Sequence, residues 1–256
     1  MKKILITGGN AGLAIEISRL MAIDGCQIVL IGTDDLKLMQ VVEELPGNKH
    51  RYLHIDLLLE DDFQRLINLL KSEYFDVLIN ADELMLFDSF EDAEPEVLSK
   101  MIILNVTRMV TLSHQFIQKA GDGAALVNVG SIFGLASCTG AAVYAASKAF
   151  VATFSASLWA EARSKNVFVC SFNPGMIRQL PMDSAKAEPA NSFTQDPKNL
   201  ARMLYNQINQ RKKISYTPGI LGKAILLLKT ILGIKAATLL INRLSPLPLP
   251  TRPPFH

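Results

Sequence analysis

The stretch "KILITGGNAGLAIEISRLMAID", residues 3–24, joins a short apolar run to a longer amphipathic one through a glycine-rich turn. "KILIT" (3–7) reads as a buried strand and residues 12–24 as a helix. Between them lies "TGGNAGLA", Thr7–Ala14. Glycine permits the tight turn and lets backbone N–H groups come close to a phosphate held at the helix N-terminus. The spacing Gly-x-Gly-x-x-Gly is absent: three residues separate Gly8 from Gly12, and position 14 is Ala14, still small. Alone, such a turn is equally at home in a purely structural strand–helix connection.

The same unit repeats outward along the chain. "QIVLIG" (27–32), "RYLHID" (51–56), "DVLINA" (76–81), "AALVNVGS" (124–131) and "VFVCSFNPG" (167–175) read as strands. Residues 34–45, 60–72, 95–119 and 143–164 read as the helices between them. Each strand is apolar on both faces, which predicts a parallel sheet covered on both sides. The expected fold is α/β: a single-domain, Rossmann-like, doubly wound parallel sheet with helices on both faces. The predicted catalytic domain spans 1–219 and includes a proline- and polar-rich lid over 178–198. Residues 220–256 are read as an apolar C-terminal helix and a proline-rich tail.

Composition narrows the function. The chain has 256 residues, 49% apolar and 20% charged, enough to bury a sizeable core. A formal charge of +2 without a dense Lys/Arg stripe speaks against nucleic acid as a partner. Cys26, Cys138 and Cys170 lie far apart with no metal-ligand spacing, so they read as buried thiols in a reducing compartment and no metal is expected. The apolar run behind Met1-Lys2-Lys3 is too short for a signal peptide and no cleavage site follows, so the expected location is cytoplasmic.

The chemistry concentrates in "SIFGLASCTGAAVYAASKAF", Ser131–Phe150, where Tyr144 precedes Lys148 by one helical turn. Hydride transfer to a carbonyl needs a proton, and the reverse reaction must release one. A free tyrosine ionises near pH ~10. A lysine on the same helix face is expected to lower that value and bring the phenolate within reach. Ser131 is placed to hold the reacting oxygen. The bland alternatives are a packing tyrosine and a strand-end serine.

Together, "TGGNAGLA", Asn80 in "INAD", Asn105, Ser131 and "YAASK" resemble the classical short-chain dehydrogenase/reductase family, over roughly residues 1–200. The resemblance implies Tyr144 as acid/base, with Asn105, Ser131 and Lys148 completing the catalytic set. Lys148 would also bind the nicotinamide ribose, and Asn105 would hold a water in a proton relay. It implies an NAD or NADP site formed by Gly8, Asn10, Gly12, Leu13, Thr33, Asp56, Asn80, Ala81, Tyr144 and Lys148. Pro174, Gly175 and Ile177 of the turn after the sixth strand would flank the nicotinamide. For Asp56, a place near the adenine and a plain loop-start role are weighed equally.

Two departures from the family pattern stand out. Asp82 takes the place of a glycine that lets the backbone approach the cofactor ribose. The second strand ends in Gly32-Thr33, without the acidic residue that selects NAD or the arginine that selects NADP; NADP is favoured slightly. Asp34 and Asp35 are expected to cap the next helix. Met85, Leu86 and Phe87, with Met182 and Phe193 of the lid, suggest a hydrophobic carbonyl or alcohol substrate; packing of the lid is the equal alternative. The apolar segment 220–244 carries Lys223, Lys229, Lys235 and Arg243 and does not read as a transmembrane span. It is expected to pack on its own domain or on the partner in a homo-oligomer, with peripheral membrane contact the other possibility. The functional expectation is an NAD(P)-dependent oxidoreductase of ketoreductase or alcohol-dehydrogenase type. The alternative is a catalytically weak member of the fold that binds a dinucleotide or a partner.

Overall fold

The apolar runs pair side by side in one sheet. A computed structural model describes residues 1–178 and 194–219, with scattered positions from 224 to 239. The strands are β1 (Lys3–Ile6), β2 (Gln27–Gly32), β3 (Arg51–His54), β4 (Val77–Asn80), β5 (Ala125–Val129) and β6 (Phe168–Phe172). A two-stranded ribbon, β7 (Met176–Ile177) and β8 (Thr194–Gln195), precedes β9 (Ser215–Tyr216). The main sheet runs β3-β2-β1-β4-β5-β6-β9, and every pairing in it is parallel. The order reverses between β1 and β4, so the crevice at their C-terminal ends is where this architecture binds ligands.

Alternation along each strand builds two cores. Ile4 and Ile6 enter one layer with α1 (Gly12–Ile23), α2 (Asp35–Glu44) and α7 (Pro197–Gln210). Leu5 between them enters the other, with α3 (Glu60–Ser72) and α5 (Met109–Lys119). All three are fully buried, each stabilising the fold by about 1.5–3 kcal/mol.

The expected helix over 95–119 is continuous but not uniform. α4 (Pro95–Ile102) passes into a π-helical stretch, Ile103–Arg108, before α5. Such stretches re-aim side chains, and Asn105 lies in this one. α6 (Ala142–Ala162) matches the expected helix over 143–164.

The expected lid is structured at its C-terminal edge. β8 pairs with β7, and Asp196 caps α7 by accepting from Lys198 N. Residues 179–193, with Met182 and Phe193, lie outside the described residues, as do the tail and much of 220–244. Leu227, Ile231 and Leu239 are described and are 60%, 67% and 62% exposed. Among the described residues no helix is long and apolar enough to cross a membrane.

Candidate active site

The glycine turn and the β4 loop meet at the switch point. Gly8 has φ +66°, and a Cβ there would stand 2.8 Å from the Ala81 carbonyl oxygen. The Thr7 hydroxyl accepts from Ala81 N at 3.1 Å and Asp82 N at 3.2 Å. Helix α1 opens at Ala11 and Gly12 with no side-chain cap, so the N-cap side chain takes up none of its first N–H groups. A trough of about 250 Å³ runs from Ala11, Gly12 and Leu13 past Glu83 and Ser131 to Tyr144 and the Pro174-Gly175 turn.

Ser131 and Tyr144 line this trough, and Lys148 Nζ lies 5.7 Å from the centre of the Tyr144 ring. Ser131 follows β5 and opens a 3-10 turn, its hydroxyl accepting from Phe133 N at 3.3 Å. That turn sits against α6 at Gly134, where a Cβ would lie 2.4 Å from the Lys148 carbonyl carbon. The glycine therefore sets the spacing between Ser131 and the helix carrying Tyr144 and Lys148. Both α6 residues are buried, Tyr144 at 3% and Lys148 at 2% exposure. Tyr144 packs among Phe87 and Phe133. Lys148 Nζ donates to the Val129 carbonyl at 2.9 Å.

Asn105 stands one shell away. Its Oδ1 accepts from Leu84 N and its Nδ2 donates to the Leu84 carbonyl, both at 2.8 Å. It clamps the β4 loop and donates also to Ser147 on α6 at 3.2 Å. Asn80 turns its side chain into the molecule, donating to Asn128 Oδ1 at 2.8 Å and to Ser113. Only its backbone is left to face a ligand.

The sequence reading overlooked Glu83. Its Oε2 lies 2.6 Å from Lys148 Nζ and accepts from the Tyr144 hydroxyl at 3.1 Å. Its signal in the sequence is two adjacent carboxylates, Asp82 and Glu83, at the C-terminal end of a central strand. Met176 and Arg178, also unforeseen, line the trough, and Arg178 pairs with Asp196 at 3.3 Å.

The expectation that Lys148 lowers the Tyr144 pKa is overturned. Burial pushes the phenol well above the usual tyrosine range, and the Glu83 charge pushes it further, against the pull of a hydrogen bond with Ser131. The lysine charge is answered by Glu83.

Asp82 is also perturbed. Burial first, then the charge of Asp56, raises its carboxyl to about 6, against the opposing hydrogen bond from Glu83 N. Unfolded aspartate ionises near pH ~4, so the folded protein holds this proton more tightly. The carboxyl's contribution to stability is fully present below about pH 4 and is lost as pH rises through about 6. Asp82→Asn keeps the acceptor for Glu83 N and removes the charge. We expect the variant to gain about 2 kcal/mol near neutral pH, after discounting for solvent contact, and little at acid pH. Urea midpoints at the two pH values check this; an equal gain at both would remove the charge as its cause.

The adenine end is less regular. Thr33 is exposed beyond β2. Asp34 caps α2 by accepting from Lys37 N at 3.0 Å, and Asp35 faces His54 at 3.2 Å. Asp56 accepts from Leu58 N at 2.8 Å, a loop-start role, while its charge reaches Asp82. Asn10 lies against Gly32, where a Cβ would stand 2.5 Å from its Oδ1. Ile177 lines the trough from β7, and Gly175 N donates to Gln195 Oε1 at 2.7 Å.

A parallel sheet of this order, with serine, tyrosine and lysine gathered beside its switch point, defines a class of nucleotide-dependent enzymes. The family model described as short chain dehydrogenase matches residues 2–191, and the chain belongs to that family of oxidoreductases. An uncharacterized oxidoreductase of Staphylococcus saprophyticus is 25% identical over 84% of this chain and 94% of its own. Cyclopentanol dehydrogenase of Comamonas testosteroni is 30% identical over 69% of this chain and 73% of its own. Among solved structures, a short-chain dehydrogenase from Sphingobium yanoikuyae in complex with NADPH superposes with TM-score 0.78 at 23% identity, covering 92% of this chain and 96% of the other.

Proposed function

We propose that the protein is an NAD(P)-dependent carbonyl reductase or alcohol dehydrogenase acting on a hydrophobic substrate, with Tyr144 as acid/base. The observation that carries this reading is the single trough joining the α1 N-terminus to Ser131 and Tyr144. The residues present fit a dinucleotide. The α1 N-terminus carries no side-chain cap where a pyrophosphate would lie, and a Cβ at Gly8 would strike the Ala81 carbonyl instead of allowing the close turn. Lys148 would bind the ribose and Pro174-Gly175 would flank the nicotinamide. A bound nicotinamide would supply hydride chemistry at the carbonyl or alcohol carbon.

The chain's own residues handle the proton. In reduction, the Tyr144 hydroxyl gives its proton to the carbonyl oxygen as negative charge builds there, and the product is an alcohol. Ser131 holds the same oxygen. In oxidation the phenolate takes the proton back. A buried phenol beside a carboxylate is kept in its proton-donating form. Met85 and Phe133 in the trough, and the likeness to cyclopentanol dehydrogenase, support an apolar ketone–alcohol pair.

Asp34 taken up in capping and Asp35 turned to His54 support the NADP preference. The test is a titration with NADPH and NADH, followed by nucleotide fluorescence, beside Lys148→Ala. NADPH is expected to bind more tightly, and the variant to lose about tenfold or more in affinity. Failure of a folded protein to bind either nucleotide overturns the reading. The alternative, a member with weak catalysis that binds a dinucleotide or partner, draws on Asp82 and on the contact of Glu83 with Lys148. The exposure of Leu227, Ile231 and Leu239 supports contact of these three residues with a second subunit or a membrane surface.

A further inference from the structure

Glu83 sits on an irregular loop whose neighbours are held on both sides. Ala81 N and Asp82 N donate to Thr7, and Leu84 is clamped through both backbone groups by Asn105. The backbone at position 83 is therefore fixed, and its carboxylate is delivered to one place. A single oxygen, Oε2, meets both the Lys148 ammonium at 2.6 Å and the Tyr144 hydroxyl at 3.1 Å. Those are the two donors that a ribose hydroxyl and a substrate oxygen need. The Glu83 side chain remains 32% exposed on the trough wall, so it has a path outward. Lys148 is 2% exposed on α6, and the Tyr144 ring, which faces the trough, is held between Phe87 and Phe133.

We propose that Glu83 is an internal competitor: a positioning residue whose carboxylate occupies the Lys148 ammonium and the Tyr144 hydroxyl until ligand displaces it. The inference rests on the role of Tyr144 and Lys148 proposed above. Charged groups facing this cluster are Glu83 and Lys148 themselves, then Asp82 beside them on the loop, with Asp56 beyond it. A carboxylate used only to neutralise a buried lysine would strengthen the fold and leave ligand affinity alone. One that competes must weaken binding.

The experiment compares wild type with Glu83→Gln, and with Glu83→Ala should the glutamine variant fold poorly. NADPH titration reads the competition. Phenolate absorbance in nucleotide-free protein, with Tyr144→Phe subtracted, reads the tyrosine. Glu83→Gln is expected to bind NADPH about tenfold more tightly, the worth of one charge-assisted hydrogen bond no longer displaced. Its Tyr144 transition is expected at lower pH than in wild type. Equal or weaker NADPH binding by a folded variant overturns the proposal, as does an unmoved Tyr144 transition. Should neither protein bind nucleotide, the functional reading fails, and the phenolate titration alone decides whether Glu83 holds the phenol.

Discussion

Tyr144→Phe is expected to bind NADPH and to reduce ketones about a thousandfold more slowly than the parent, within the roughly 10²–10⁴ range of a positioned proton donor. The substitution removes one oxygen and leaves the ring. Contacts with Phe87 at 5.7 Å and Phe133 at 6.3 Å between centroids remain, so the fold should not suffer. Glu83 keeps its ion pair with Lys148. The loss therefore belongs in turnover rather than in folding, and single-turnover reduction beside circular dichroism separates the two. The pH dependence has a defined sign. Because burial, the larger cause, persists when Glu83 is displaced, the phenol stays above the usual range; reduction should stay level through neutral pH and fall only where Tyr144 ionises, while alcohol oxidation should rise with pH. A variant within tenfold of the parent would remove Tyr144 from the chemistry.

Gly134→Ala is expected to destabilise the protein by about 3 kcal/mol and to abolish reductase activity in whatever remains folded. The added methyl group would lie 2.4 Å from the Lys148 carbonyl carbon, 2.5 Å from its oxygen and 2.6 Å from Ala149 N. These are backbone atoms inside a 21-residue helix, not the end of a side chain that can swing away. Relief requires the Ser131 turn to move off α6, which separates Ser131 from Tyr144. Denaturant midpoints read the first effect and turnover the second. Near-parental stability would mean that this turn floats on the helix.

Most of the fold was legible because two-sided burial leaves uninterrupted apolar runs. Each of the six expected strands and five expected helices is present within a few residues of its predicted bounds. β9 is two residues long, too short to leave a pattern, and it pairs with β6 beyond a helix that went unread. That helix, α7, had a visible start in Asp196-Pro197, hidden inside what looked like a lid. The π-helical stretch is invisible because one extra residue in a turn barely disturbs a 3.6-residue period. Ser131, Tyr144 and Lys148 could be read from spacing and resemblance. The electrostatic state of Tyr144 could not, since it depends on burial and on Glu83, sixty-one residues away in the chain. Asn80 shows the converse: the residue was recognised, but its side chain belongs to a buried network with Asn128 and Ser113.

The Thr7 hydroxyl, accepting from two successive amides across the β1–β4 gap, acts as a rivet. It joins the turn at Gly8 to the loop that carries Glu83 into the trough wall, so the two share one seam. Thr7→Val, which keeps the branched shape and removes the acceptor, is therefore expected to leave two amides of that loop without their partner. A single hydroxyl at the end of β1 thus sets the position of a carboxylate seventy-six residues further along the chain.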